Sequence, residues 1–151
     1  MEPRSVHDKL MGQKKMLAVA ESCTGGLLMA TLTQFAGASN YLVGGVVAYS
    51  NEMKKKLLAV SPKTLDRFGA VSSEVVIEMV AGLFIATNAD IGISVSGSLG
   101  PTGEKIGTVW MAIGERGKKI RSEQIPLKTG NSRLEYREQV LSYLLEALWN
   151  L

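Results

Sequence analysis

Between an apolar run, Met16 to Ala20, and an apolar-periodic segment that begins at Leu27-Leu28 lies the heptapeptide Ala20-Glu21-Ser22-Cys23-Thr24-Gly25-Gly26. A short buried strand, a hydroxyl-rich turn and a helix in direct succession force the chain through a tight corner. Gly25 and Gly26 supply backbone angles closed to other residues, and the first helical N–H groups lie unpaired beside the hydroxyls of Ser22 and Thr24. Such a corner is where anions and oxyanions bind. The plain alternative is that Ser22 or Thr24 caps the helix and the glycines only permit the turn.

The remaining segments repeat the alternation. Val6, Leu10 and Met11 fit an amphipathic first helix, and Gly26 to Gln34 fits a second that stops near Ala36-Gly37. Leu42 to Tyr49 reads as a second strand, and Ser50-Asn51 caps a helix from Glu52 to Leu58. Ser61-Pro62 opens a short helix over Lys63 to Arg67 that Phe68-Gly69 ends. Ser72 or Ser73 caps a long helix in which Val75, Val76, Met79, Val80, Leu83 and Phe84 recur at helical spacing. Ile91 to Val95 is a third strand. Gly107 to Ile113 and Lys119 to Leu127 flank Glu115-Arg116-Gly117-Lys118 as a hairpin, and Ser132 to Leu148 closes the chain as a helix. Strand–helix alternation followed by a hairpin predicts a mixed sheet covered on both faces.

Composition narrows the function classes. With 151 residues, 46% of them apolar, residues 1–151 are read as one domain with its own core. No stretch reaches the roughly 20 apolar residues of a membrane span, and the N-terminal residues lack the apolar core of a signal peptide. A soluble cytoplasmic protein that does not engage membrane is the expectation. The single cysteine, Cys23, excludes an internal disulfide, and with His7 as the only histidine there is no Cys/His cluster for zinc. A carboxylate-only Mg²⁺ site stays open. The net charge of +3 is mild and the lysines at 54–56 are not interleaved with aromatics, so no nucleic-acid partner is expected.

Three polar clusters follow strands: Glu21 to Gly26, Tyr49 to Lys54, and Ser96 to Gly103. In an open α/β sheet the loops at the carboxyl ends of the strands share one crevice. They would bring together a hydroxyl nucleophile candidate in Ser22, a phenol and an amine in Tyr49 and Lys54, and a second hydroxyl in Ser96. His7 lies in the first helix, so a Ser-His-Asp triad is disfavoured and a lysine or tyrosine must serve as base. Each residue has a structural alternative: Lys54 as one of three solvated helix lysines, Tyr49 as a core phenol, Glu21 as an organiser of loop amides or a partner of Lys54. Cys23 reads as a small packed residue, and Trp110 and Trp149 as core or interface fillers.

The heptapeptide, Gly37-Ala38-Ser39, the run Gly45 to Lys54, Thr64-Leu65, Gly69-Ala70-Val71-Ser72, Glu78-Met79, Gly107-Thr108-Val109-Trp110 and the spacing of Arg133 and Arg137 together resemble the CinA C-terminal domain family of nicotinamide-nucleotide amidohydrolases. The resemblance covers nearly the whole chain. It implies a three-layer α/β/α sandwich with a mixed sheet, and deamidation of nicotinamide mononucleotide to nicotinate mononucleotide and ammonia without metal or cofactor. It further implies Ser22 as nucleophile, Lys54 and Tyr49 as its activating partners, and Arg133 and Ser96 at substrate-binding positions. Thr24, Gly25, Gly26 and Gly97 complete the expected substrate-binding set. In many relatives this domain follows a larger N-terminal domain, whereas here it is read as standing alone.

The chain departs from the family in its third loop. Ser98-Leu99 stands for Ile-Ala, the loop is shorter, and Glu104 replaces a glycine. A carboxylate there either repels a substrate phosphate or points to water. Two rival readings follow, a phosphate-binding module without turnover and an amidase of another small carboxamide. If Arg133 does not bind substrate, it pairs with a carboxylate on the last helix.

In the expected mechanism Lys54, directly or through Tyr49, deprotonates Ser22, and amides near Cys23 to Gly26 hold the oxyanion. Bringing a lysine from about 10.4 to near 7 requires roughly 4 to 5 kcal/mol of ammonium destabilisation, from burial or a nearby arginine. The apolar faces of Val75 to Phe84 and Leu141 to Trp149 lead to the expectation of a homodimer or higher homo-oligomer.

Overall fold

A computed structural model describes all residues, 1–151. Its elements are α1 (Pro3–Gln13), β1 (Leu17–Glu21), α2 (Leu27–Thr33), a 3-10 turn (Ala38–Asn40), β2 (Leu42–Val47), α3 (Asn51–Leu58), α4 (Pro62–Phe68), α5 (Ser73–Ala86), β3 (Ile91–Ser98), β4 (Thr108–Glu115), β5 (Arg121–Gln124) and α6 (Arg133–Trp149). The sheet runs β2-β1-β3-β4-β5, with β1 parallel to both β2 and β3 and the last two strands antiparallel.

The side-chain period of two on β1 divides the apolar residues between two cores. Leu17 and Val19 face a cluster built with Val6 and Leu10 of α1, Leu28 and Leu32 of α2, and Val140, Leu144 and Leu148 of α6. Ala18 and Ala20 face the other cluster, formed with Leu58, Leu65 and the α5 residues Val75, Val76, Met79, Val80 and Leu83. Helices on both faces of one mixed sheet make the three-layer α/β/α arrangement.

The alanines on the second face let α5 approach closely, and Gly82 lets α5 meet α3. A Cβ at Gly82 would stand 1.9 Å from the Leu58 carbonyl oxygen, a backbone atom that cannot swing aside. Gly82→Ala is therefore expected to lower unfolding stability by about 1–3 kcal/mol, although the same change at an open helix site stabilises by about 1 kcal/mol. Denaturant unfolding checks the sign.

Two departures from the expected boundaries have a clear physical cause. The third strand continues to Ser98 because Ser96, Gly97 and Ser98 pair with Trp110, Val109 and Thr108 of β4, and the ladder outweighs the turn preference of Ser and Gly. Consequently Ser96 and Gly97 lie in a strand rather than in a loop. The fifth strand is shorter than Lys119 to Leu127, since Pro126 has no N–H to continue the ladder. The apolar face of α5 is taken up by this chain's own sheet and α3, leaving Ile85 as its exposed large apolar residue.

No helix is long and apolar enough to cross a membrane.

Candidate active site

The carboxyl ends of β1, β2 and β3 meet at one edge of the sheet. From β1 the chain passes through α2 to β2 on one side, then through α3 to α5 and back across to β3, which creates a crevice at the reversal. A cleft of ≈ 230 Å³ opens there, and Ser22, Tyr49, Lys54, Ser96, Gly97, Gly100 and Arg133 are among its lining residues. A comparable groove between β5 and the end of α6 carries no nucleophile–base pair.

Lys54 is the decisive side chain. Ser50 caps α3 by accepting the Met53 N–H, so the fourth residue of that helix is aimed back at the sheet. Lys54 is 1% exposed, and its Nζ lies 3.1 Å from Ser22 Oγ, 3.0 Å from the Ala48 carbonyl and 3.2 Å from the Tyr49 carbonyl. Burial pulls its pKa below the ordinary 10.5. A neutral amine has two hydrogens and one lone pair. With the hydrogens on the two carbonyls, the lone pair is left for the Ser22 hydroxyl proton.

Ser22 is itself held by its N–H, which donates to the Val95 carbonyl of β3. The neighbouring Cys23 thiol is pushed up to about 12 by burial, so it stays protonated and does not compete as a nucleophile.

The glycine corner is used differently from expectation. Glu21 is fully buried, and its carboxylate accepts the N–H groups of Gly26, Leu28 and Met29, closing the start of α2 from within. The expectation of an open anion site there is corrected. The Gly25 N–H donates to the Ser22 carbonyl, so neither glycine amide is free for substrate. Thr24, Gly25 and Gly26 do not line the cleft. The Cys23 and Thr24 amides are the two in this loop without an oxygen acceptor. Of these two residues, Cys23 lines the cleft.

Tyr49 is not aimed at the serine. Its side chain is 61% exposed and its hydroxyl accepts from Arg133 Nη2 at 2.8 Å, while Arg133 Nη1 donates to the Gly100 carbonyl at 2.6 Å. Arg133 thus straps the segment after β2 to the third loop rather than pairing with a carboxylate. Ser96 donates its hydroxyl proton to the Ala70 carbonyl at 2.8 Å, leaving only lone pairs for a ligand. Gly97 lines the cleft, and a Cβ there would stand 2.4 Å from Val109 Cγ2. Glu104 is exposed and does not line the cleft.

One residue named only for its spacing belongs to this neighbourhood. Arg137 sits one helical turn after Arg133, on the same face of α6, and its Nη2 donates to the Thr24 carbonyl at 2.8 Å. The i, i+4 arginine pair was the available signal.

The match to the CinA C-terminal domain extends over residues 2–151. The chain belongs to that family. A CinA-like protein of Leptospira biflexa is 46% identical over 120 residues, covering 77% of this chain and 29% of the relative. A CinA-like protein of Thermotoga maritima is 51% identical over 110 residues, covering 70% of this chain and 27% of the relative. The chain therefore spans less than a third of the length of these relatives. The crystal structure of the competence damage-inducible protein A from Klebsiella pneumoniae superposes with a TM-score of 0.89 at 33% identity, covering 98% of this chain and 95% of that one. With that structure aligned along nearly its whole length, the fold is a shared feature.

Proposed function

We propose that this CinA-family domain hydrolyses the carboxamide of nicotinamide mononucleotide to the carboxylate, releasing ammonia, with Ser22 as nucleophile and Lys54 as its immediate base. The observation that carries this reading is the buried Lys54 amine, held by two backbone carbonyls and 3.1 Å from Ser22 Oγ.

The Lys54 lone pair takes the Ser22 hydroxyl proton as Ser22 Oγ bonds to the carboxamide carbon. The oxygen that gains charge is held by the Cys23 amide at the wall of the cleft. Lys54 passes its proton to the departing nitrogen, the C–N bond breaks and ammonia leaves. Water then adds to the acyl carbon and gives Lys54 a proton, which returns to Ser22 Oγ as the acid is released. Tyr49 has no proton-transfer role in this scheme. Its place is in the strap with Arg133.

Arg133 supplies a fixed positive charge in the lining of the cleft, with no carboxylate among its lining residues, which suits an anionic substrate. A second reading, an amidase of a carboxamide without a phosphate, is favoured by one observation: Arg133 already has Tyr49 and Gly100 as partners.

Incubation with nicotinamide mononucleotide and with its riboside, followed by ammonia assay, separates the two. On the nucleotide reading the wild type prefers the nucleotide, and Arg133→Ala reduces kcat/KM for it by about 2–3 kcal/mol while leaving the riboside unaffected. Equal use of both substrates, with Arg133→Ala affecting them alike, transfers the assignment to the second reading. Absence of ammonia from both sinks the proposal.

A further inference from the structure

Arg137 is not among the lining residues of the cleft, yet its guanidinium donates into the nucleophile loop. It is absent from all four ion pairs of the chain, and its Nε is buried without a partner. A guanidinium left so incompletely satisfied calls for an explanation.

Its one hydrogen bond begins a chain of peptides. Arg137 Nη2 donates to the Thr24 carbonyl at 2.8 Å. The same peptide unit carries the Gly25 N–H, which donates to the Ser22 carbonyl at 3.1 Å. That second peptide unit carries the Cys23 N–H, an amide without an oxygen acceptor at the wall of the cleft. Withdrawing electron density at a peptide oxygen makes the N–H across the resonant C–N bond a stronger donor. Hydrogen-bonded units in series strengthen one another by about 10–30% per bond.

We infer that Arg137 is a positioning residue that polarises the Cys23 amide, and fixes its direction, through the Thr24–Gly25 and Ser22–Cys23 peptides. This rests on the reading of Ser22 as nucleophile. A cation at the far end of the relay favours negative charge at the near end. That charge is greatest in the tetrahedral intermediate, so the benefit falls on the bond-making step rather than on substrate binding.

The test follows Ser22 acylation by p-nitrophenyl acetate through p-nitrophenolate release, with Ser22→Ala as the blank, in parallel with ammonia release from nicotinamide mononucleotide. Arg137→Met is expected to slow acylation by about tenfold with KM changed less than twofold. Arg137→Lys, which keeps charge and donor, recovers most of the rate, and Arg137→Gln, which keeps a donor without charge, falls between. Should Arg137→Met prove unstable in thermal unfolding, the Lys-to-Gln comparison decides, because both keep a long polar side chain. Equal acylation rates across the variants, a loss confined to KM, or no Ser22-dependent acylation by the wild type overturns the inference. Acylation of Ser22 without ammonia release from the nucleotide removes the substrate assignment and leaves this inference to be judged on the ester alone.

Discussion

Lys54→Met is expected to depress deamidation at neutral pH by at least about a hundredfold, the usual consequence of losing a general base. Lys55→Met and Lys56→Met should leave the rate near wild type, since neither side chain is buried and Lys55 pairs with Glu52 at the surface. Initial rates of ammonia release distinguish the three. Equal losses would mean that the lysine run acts through surface charge and that the Ser22–Lys54 pair is not the base–nucleophile pair.

The same residue sets a pH dependence. Burial lowers the Lys54 pKa below 10.5, so the active neutral amine forms earlier than for a solvated lysine, and kcat/KM should rise with pH through that lowered value. Folding linkage has a definite sign. Between the lowered native pKa and 10.5 the unfolded chain binds more protons than the native one, so stability contributed by this site rises with pH across that window. Below the window the ammonium carries its full burial penalty. Wild type should therefore gain stability relative to Lys54→Met as pH rises through the window, and parallel denaturation curves for the two proteins would contradict the burial account.

Ser22→Ala is expected to abolish ammonia release while moving the thermal midpoint by no more than a few degrees, because the lost hydroxyl carries the covalent step and little packing. The loop itself is held by backbone groups, with the Ser22 N–H on Val95 and the Gly25 N–H on the Ser22 carbonyl. Lys54 keeps both carbonyl partners. Turnover surviving in Ser22→Ala would remove the serine from its role. A collapse of the thermal transition would instead make the hydroxyl a structural group.

The sequence alone determined the alternation of elements, because hydrophobic periods of two and 3.6 and the Ser, Pro and Gly punctuation are local signals. It also marked Ser22 and Lys54, through the resemblance and the polar clusters after strands. It left Glu21 open between organising loop amides and partnering Lys54, and the structure takes the first, with the carboxylate accepting the Gly26, Leu28 and Met29 N–H groups. Nor did it show which of Lys54 and Tyr49 reaches Ser22, since both follow β2 and only the pitch of α3 directs one to the serine. Tertiary structure decided those points, together with the Tyr49–Arg133–Gly100 strap and the contact of Arg137 with Thr24. The strap and the Arg137 contact join groups from 33 to 113 positions apart. The physical reason is that hydrogen-bond partners are assigned by three-dimensional competition for acceptors. A periodic sequence states which face a residue takes, and only the packed sheet and helices fix which buried donor meets which carbonyl.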